Sequence, residues 1–260
     1  MELGVQIYGC MREFRADPEA FCARLKTVGY TQIEPCVALS MDAAALEKSG
    51  MNPVWQPEET AGFARLLEKH GLALTSCHVF GDPRGDAEKA ADFAAQNHIR
   101  QIVVNCPGGG TAEGYLRFAE DCLYLAEKLE AAGTALWIHN GWPEIRAHFD
   151  GKTGLELVLE RCAGAAGAQI DVGWVLYGGE DPAAYLDRVR PYLRSIHYKD
   201  VRPALPLEQI HVPLGGGALD WRSVRAFARA NGIPELIDQD VSAGDFLADL
   251  ADSARLLAGA

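Results

Sequence analysis

Short apolar runs alternate with longer amphipathic segments along the whole chain. The runs are five to seven residues long and rich in Val, Ile, Leu and aromatic side chains, which is typical of buried β-strands. Their starts lie roughly 26–42 residues apart, as in βα units. We predict eight strands: Leu3–Tyr8, Tyr30–Glu34, Leu72–His78, Arg100–Asn105, Thr134–Asn140, Ala168–Val172, Arg194–Tyr198 and Pro234–Asp238.

The segments between these strands have helical periodicity. In one of them, apolar side chains recur at three- and four-residue steps and would form a single stripe: Tyr115, Phe118, Cys122, Leu125 and Leu129. After the second strand, residues 40–57 are predicted to form an enlarged loop over the carboxyl ends of the strands, with a short helix over Asp42–Lys48.

Four predicted helices end in glycine directly before a strand, where glycine supplies the left-handed cap: Gly29, Gly71, Gly133 and Gly232. A polar, ligand-capable residue follows each glycine by five to seven positions: Glu34, His78, His139 and Asp238. In a closed eight-stranded barrel the carboxyl ends of all strands open on one face, which carries the active site. We therefore predict an α/β protein in which residues 1–260 form a single (β/α)8 TIM barrel.

Charge and composition exclude several classes of function. The formal net charge is −12 and no basic cluster is present, which disfavours nucleic acids and anionic membranes as partners. No apolar run approaches the roughly 20 residues that span a bilayer. The start of the chain lacks the pattern of a signal peptide, and the seven cysteines form no CxxC pair. We expect a cytoplasmic protein with reduced thiols.

The predicted strand ends combine nitrogen and oxygen ligands of the kind that Mn²⁺, Mg²⁺, Co²⁺ or Zn²⁺ takes. Taken singly, each residue has an ordinary structural explanation. A histidine at a strand end is commonly hydrogen-bonded within the fold, Asp171 could cap the next helix, and Lys199 could be a solvated loop cation. Their joint occurrence at several strand ends favours a site.

Seven motifs, in this order and spacing, are similar to those of the xylose isomerase-like TIM barrel superfamily, specifically its sugar phosphate isomerase/epimerases. The resemblance covers nearly the whole chain. The motifs are LGVQIY (3–8), GYTQIE (29–34), HNGWPE (139–144), DVGW (171–174), IHYKD (196–200), LGGGALDW (214–221) and LIDQD (236–240).

The resemblance implies a divalent metal ion at the barrel mouth, held by His139, Asp171, His197 and Asp238. It implies a small-molecule carbohydrate or keto-sugar whose carbonyl the metal polarises. A proton on the α-carbon would then move through an enediolate. The candidates for proton transfer are Glu144, Lys199, Asp238 and His78, and those for substrate binding are Tyr8, Glu34, Asn105 and Trp174.

The chain departs from the family pattern at four positions. Asp238 stands where many relatives have Glu, and Gly141 replaces the second His of an HNH motif. His139 stands where better-studied epimerases have a catalytic Glu, so their two-carboxylate mechanism does not transfer directly. Trp174 replaces a substrate-binding His of some relatives and is predicted to stack on a sugar face or to wall the pocket.

The leading hypothesis is therefore a metal-dependent isomerase or epimerase of a sugar, keto-sugar or related polyol-derived carbonyl compound. The alternatives are a lyase or dehydratase on a keto-polyol or 3-keto-glycoside, a catalytically degenerate carbohydrate-binding barrel, and, disfavoured by charge, an apurinic endonuclease. Aromatic residues on the barrel helices are compatible with a homo-oligomer.

Four cysteines fall at the ends of the first four strands: Cys10, Cys36, Cys77 and Cys106. We interpret them as packing residues, with a thiol-lined pocket as the alternative.

Overall fold

The structure is a computed structural model and describes residues 2–41, 48, 52–74 and 76–259. The strands of the main sheet are β1 (Leu3–Gln6), β2 (Gln32–Glu34), β3 (Cys36–Ala38), β4 (Ala73–Leu74), β5 (Ser76–Phe80), β6 (Gln101–Asn105), β7 (Ala135–His139), β10 (Ala166–Asp171), β11 (Leu193–Tyr198) and β14 (Glu235–Ile237). Two short hairpins use β8 (His148–Phe149) with β9 (Lys152–Thr153), and β12 (Asp200–Val201) with β13 (His211–Val212).

The helices are α1 (Met11–Ala16), α2 (Pro18–Val28), α3 (Thr60–Lys69), α4 (Ala87–Gln96), α5 (Ala112–Ala131), α6 (Pro143–Arg146), α7 (Gly154–Arg161), α8 (Val172–Gly178), α9 (Pro182–Val189), α10 (Trp221–Asn231) and α11 (Phe246–Ala258). In α5 the predicted stripe packs inward, with Phe118 partly buried and the other four residues buried.

All pairings in the main sheet are parallel, and they close the predicted TIM barrel. β1 pairs with β14 on one side and with β2 on the other. The second and third barrel strands are each divided: β2 pairs with β4, and β3 pairs with β5. Pro35 separates β2 from β3, since proline has no N–H to donate to the ladder. All eight predicted strands are present.

The strand boundaries differ from the prediction by a few residues. The first strand ends at Gln6 instead of Tyr8, because the Tyr8 N–H turns back to the Gln6 side chain at 3.1 Å. The third extends to Phe80. All four predicted glycine caps have positive φ.

The loop after the second strand is described in part. The helix predicted over Asp42–Lys48 lies outside the described residues, except for Lys48. Asn52 donates to the Tyr8 hydroxyl oxygen and to the Asp240 carbonyl, both at 3.3 Å, which places this end of the loop at the barrel mouth.

Among the helices of the described residues, none combines the length and apolar character needed to cross a membrane.

Candidate active site

A cavity of about 350 Å³ opens at the carboxyl ends of the barrel strands. Eight of the eleven site residues predicted from the sequence line it: Tyr8, His78, Asn105, His139, Glu144, Trp174, Lys199 and Asp238. The other three, Glu34, Asp171 and His197, are fully buried beside it. The motifs that the sequence separates by more than 200 residues therefore meet in one place.

The four predicted metal ligands converge beside the cavity. His139, Asp171, His197 and Asp238 each offer one ligand atom, and these atoms all lie within 4.8 Å of one another. Four such atoms are close enough together that side-chain adjustment would let them hold one ion.

Unpartnered atoms support this fit. Among the described residues, Asp238 Oδ1 is buried without a hydrogen-bond partner. Asp171 Oδ2 and His197 Nε2 form no hydrogen bond either, although Lys199 Nζ and Glu34 Oε1 lie 3.0 Å from them as ion-pair partners. Buried polar atoms are normally satisfied, so unpartnered atoms concentrated in one cluster indicate a place where a cation would be held. The donor set suits a divalent ion.

Asp171 caps a helix with one carboxylate oxygen and leaves the other for the cluster. Its Oδ1 accepts the Trp174 N–H at 3.0 Å and caps α8, while Oδ2 remains directed to the cluster. Asn140 binds the backbone of Asp171 on both sides, accepting its N–H at 2.9 Å and donating to its carbonyl at 3.2 Å. Neighbouring strands thus fix the position of this carboxylate.

Lys199 is a buried cation and not a solvated loop residue. Its Nζ lies 3.0 Å from Asp171 Oδ2, 3.1 Å from Asp238 Oδ2 and 2.8 Å from Asp240 Oδ2. It also lies 4.7 Å from the centre of the Trp174 ring. Burial alone would lower the pKa of Lys199, but the three carboxylates outweigh it and hold that pKa well above its usual value.

The same ion pairs give Asp171 and Asp238 different pKa values. Burial raises the pKa of Asp171 to about 6 although Lys199 opposes the shift. Burial also acts on Asp238, but the charge of Lys199 and the contact with His197 outweigh it, so the pKa of Asp238 lies well below its usual value.

Glu34 does not line the cavity, so the prediction that it contacts substrate needs correction. Its side chain points into the barrel below the cavity, where Ser76 Oγ and Gln169 Nε2 donate to Oε2, the latter at 2.8 Å. Its Oε1 lies 3.1 Å from His78 Nε2 and 3.0 Å from His197 Nε2. Strand alternation turns this residue toward the barrel interior.

Gln169 connects the side chains below the cavity, which we call the lower layer of the site: Glu34, His78 and His139. It was not predicted from the sequence. Because the Glu34 carboxylate only accepts, it orients the Gln169 amide with Oε1 toward two imidazoles. His78 Nε2 lies 2.7 Å and His139 Nδ1 lies 3.1 Å from that oxygen. Gln169 stands two residues before Asp171, on the same face of β10, and this period-2 spacing was the available signal.

Glu144 combines burial with an unpartnered oxygen. Its Oε1 accepts the Gly141 N–H, while Oε2 is buried without a hydrogen-bond partner among the described residues. Burial raises the pKa of Glu144 to about 7. A carboxyl group poised near neutrality on a cavity wall is suited to proton transfer.

The four strand-end cysteines are all buried, in keeping with their interpretation as packing residues. Cys36 and Cys106 line part of the cavity, whereas Cys10 and Cys77 do not appear on its described wall. Burial raises the pKa of each of these four thiols, which keeps them protonated and disfavours thiolate chemistry.

A family model described as a xylose isomerase-like TIM barrel matches residues 22–252. No curated protein matches the chain.

Solved structures of differently named proteins share this fold. A sugar phosphate isomerase/epimerase from Parabacteroides distasonis ATCC 8503 superposes with a TM-score of 0.82 at 18% identity, over 100% of this chain and 94% of the other. The probable 3-DHS dehydratase AsbF from Bacillus anthracis has a TM-score of 0.70 at 14% identity, over 99% of both chains. The IOLI protein with a bound zinc atom has a TM-score of 0.70 at 12% identity, over 99% of this chain and 96% of the other.

Proposed function

This chain belongs to the xylose isomerase-like TIM barrel family, and from that premise we propose that it is a metal-dependent isomerase or epimerase. Its substrate would be a sugar, a keto-sugar or a related polyol-derived carbonyl compound. The observation that carries the proposal is Glu144, a buried carboxyl group with one unpartnered oxygen and a pKa of about 7, on the same cavity wall as the ligand cluster.

His139, Asp171, His197 and Asp238 would hold the divalent ion, which when bound would polarise the substrate carbonyl and an adjacent hydroxyl. A solved structure of the same fold binds a zinc atom, which supports a metal ion in this chain. Mn²⁺, Mg²⁺, Co²⁺ and Zn²⁺ are the candidates, in keeping with the mixed nitrogen and oxygen donors.

Glu144 would remove the proton from the substrate α-carbon and return it on the same or the neighbouring carbon. Its pKa near 7 lets the carboxylate accept a proton and release it again at neutral pH. Lys199 would donate a hydrogen bond to the developing oxyanion, because its three carboxylate contacts keep the ammonium charged. His78, also on the wall, would act as a second proton carrier.

The remaining wall residues would position the substrate. Trp174 offers a ring face for a sugar, held in place by the Lys199 ammonium beneath it. Tyr8 and Asn105 offer hydrogen-bonding groups to hydroxyls from the opposite strands. Asp238 would serve as a ligand only, since its low pKa makes it a poor proton carrier.

The test is solvent isotope uptake. The metal-loaded protein is incubated in D₂O with a panel of aldoses, ketoses and keto-sugars, and deuterium at the α-carbon is measured by NMR. Turnover by Glu144→Gln should fall by about 10²–10⁴-fold. Glu160→Gln, which alters an exposed ion pair with Lys152, is the matched control and should retain activity. Absence of both deuterium uptake and metal-dependent product would refute the proposal.

A second candidate is elimination on a keto-polyol or 3-keto-glycoside. It begins with the same proton abstraction, and Glu144, protonated in that step, would pass the proton to the departing group. The fold shared with a probable dehydratase is compatible with it. In the same assay, loss of water or of an aglycone would appear as a lighter product by mass spectrometry.

A further inference from the structure

A further cavity, of about 570 Å³, opens at the amino ends of the barrel strands, opposite the candidate active site. We propose that it binds a small phosphate-bearing metabolite through Arg100, Arg194 and Arg229. These arginines lie on its wall and come from three places in the fold: the residue before β6, strand β11 and helix α10. A cavity of this volume is in the range that takes small-molecule ligands. The proposal does not rest on the proposed reaction.

An irregularity in the sheet places Arg194 at this cavity. Ala168 of β10 pairs with Leu193 of β11, but the next residue, Gln169, pairs with Ser195. Arg194 is therefore the extra residue of a bulge and has no partner on β10. Bulges commonly redirect a side chain next to a functional site.

Gly167 makes room for the Arg194 side chain. Gly167 lies two residues before Gln169 and four before Asp171, so its missing side chain would point into the barrel as theirs do. A Cβ at Gly167 would overlap Arg194 Cγ and would lie 3.0 Å from Trp137 Cδ1. The stem of Arg194 thus occupies the inner side of the sheet beside Trp137, and it does so because β10 carries a glycine there.

The charges on the wall favour an anion. Among the described residues, none of the three arginines lies within ion-pair distance of a carboxylate. Glu2 also lines the cavity, but it accepts from Gln32 Nε2 at 3.0 Å. Glu235 is likewise engaged, since it accepts from the Tyr198 hydroxyl at 2.6 Å. The guanidinium groups outnumber these carboxylates, which makes the local potential positive although the chain has a net charge of −12.

A buried hydroxyl group at the cavity supports a ligand there. Ser195 is fully buried, lines the cavity, and its Oγ has no hydrogen-bond partner among the described residues. Ser76 also lines the cavity, but its hydroxyl donates to Glu34. Buried polar groups normally have partners, so the Ser195 hydroxyl indicates a place where a ligand oxygen would accept a hydrogen bond.

The site is distinct from the candidate active site. Ser76 and Ser195 each stand two residues before a histidine of that site, His78 and His197 respectively. Two residues of a strand span about 7 Å, so the cavity ends one layer of side chains below the histidines. A ligand bound here would lie at the opposite end of the barrel from the substrate.

The arrangement of donors favours a phosphate group over a carboxylate. A guanidinium presents its N–H groups as a fork that fits the oxygens of either anion. A carboxylate has two oxygens in one plane, whereas a phosphate monoester has three terminal oxygens that donors from several directions can reach together. Here the arginines come from three elements around the cavity, and Ser195 adds a hydroxyl donor. Trp137, on the same wall, offers a ring surface to the organic part of the ligand.

The direct test is calorimetric titration of the unmodified chain with inorganic phosphate, glycerol phosphate and succinate, followed by a crystal structure with the tightest ligand. We expect both phosphates to bind more tightly than succinate. The phosphate group should lie within hydrogen-bond distance of Arg194 and Ser195 Oγ. Succinate binding as tightly as phosphate, no binding at millimolar phosphate, or a phosphate seen only at the active-site mouth would overturn the proposal.

Arginine variants test the assignment in solution. Arg194→Gln and Arg229→Gln should each weaken phosphate binding by about 10–100-fold, the cost of losing a hydrogen bond to a charged group. Both side chains are exposed, so the variants should fold. Arg117→Gln removes the same charge from an arginine that is 74% exposed outside the cavity, and it should leave binding unchanged. Equal weakening in all three variants, or no weakening in Arg194→Gln and Arg229→Gln, would contradict the site.

Discussion

Replacement of Lys199 by methionine should destabilise the barrel by about 3–5 kcal/mol at pH 8, the usual cost of removing one partner from a buried ion pair. Lys199 is 2% exposed and contacts three carboxylates, of which Asp171 and Asp238 are almost completely buried. Methionine fills a similar volume but supplies no charge, so two buried carboxylates lose their shared cation.

The size of the effect should depend on pH. Burial already raises the pKa of Asp171 to about 6 in the presence of Lys199, and removal of the ammonium would raise it further. An acid with a raised pKa in the folded state loses stability as the pH rises from its unfolded value through its folded value. The deficit of Lys199→Met should therefore grow from pH 5.5 to pH 8.

Thermal unfolding at the two pH values measures this deficit. At about 2–4 °C per kcal/mol for a chain of this size, Tm should fall by about 6–20 °C at pH 8. Lys152→Met is the control: its ion pair with Glu160 is 47% and 44% exposed, and its loss should cost at most about 1 kcal/mol. A Lys199→Met protein within 1 kcal/mol of the unmodified chain at pH 8 would refute the reasoning.

Two further changes test the site and its support. The stability of Glu144→Gln relative to the unmodified chain should rise by up to about 3 kcal/mol between pH 5 and pH 8. The reason is that ionisation of a buried group with a pKa of about 7 opposes folding in the unmodified chain only. Denaturant unfolding that shows the same difference at both pH values would contradict this. Asp200→Asn should lower the free energy of unfolding by about 2–3 kcal/mol. It should also speed amide exchange at Gly215, Gly217 and Leu219, because their N–H groups donate to this carboxylate at 2.8–3.0 Å. Unchanged exchange at these amides would show that other contacts hold the loop.

The barrel was predictable from the sequence because residues close together along the chain specify each βα unit. Apolar runs, glycine caps and the polar residue that ends each strand recur with a period that only βα units explain. The triple glycine at 215–217 is likewise explained locally: the Gly215 and Gly217 N–H groups bind Asp200, and the Gly216 N–H binds the Pro213 carbonyl.

The lower layer of the site was harder to predict because it depends on closure of the barrel. Glu34 and Gln169 are 135 residues apart and meet only when strands from opposite sides face each other across the interior. The position of Glu34 at a strand end favoured the mouth, whereas the direction of its side chain depends on the division of the strand at Pro35. Sequence spacing gives the face of a strand and not the depth in the barrel.

The centre of this barrel contains charged groups where branched apolar side chains usually fill the space. Glu34, Asp171 and Asp238 are at most 2% exposed, and Lys199 is the one lysine or arginine that contacts any of them among the described ion pairs. Burial of unbalanced charge opposes folding, so this arrangement is stable only to the extent that imidazoles or a bound cation share the charge. The excess of carboxylates over lysine and arginine favours the binding of a further cation beside them. Asp171 and Asp238 share the Lys199 ammonium, and Glu34 contacts the His78 and His197 imidazoles, so each buried carboxylate has a partner that carries or shares its charge.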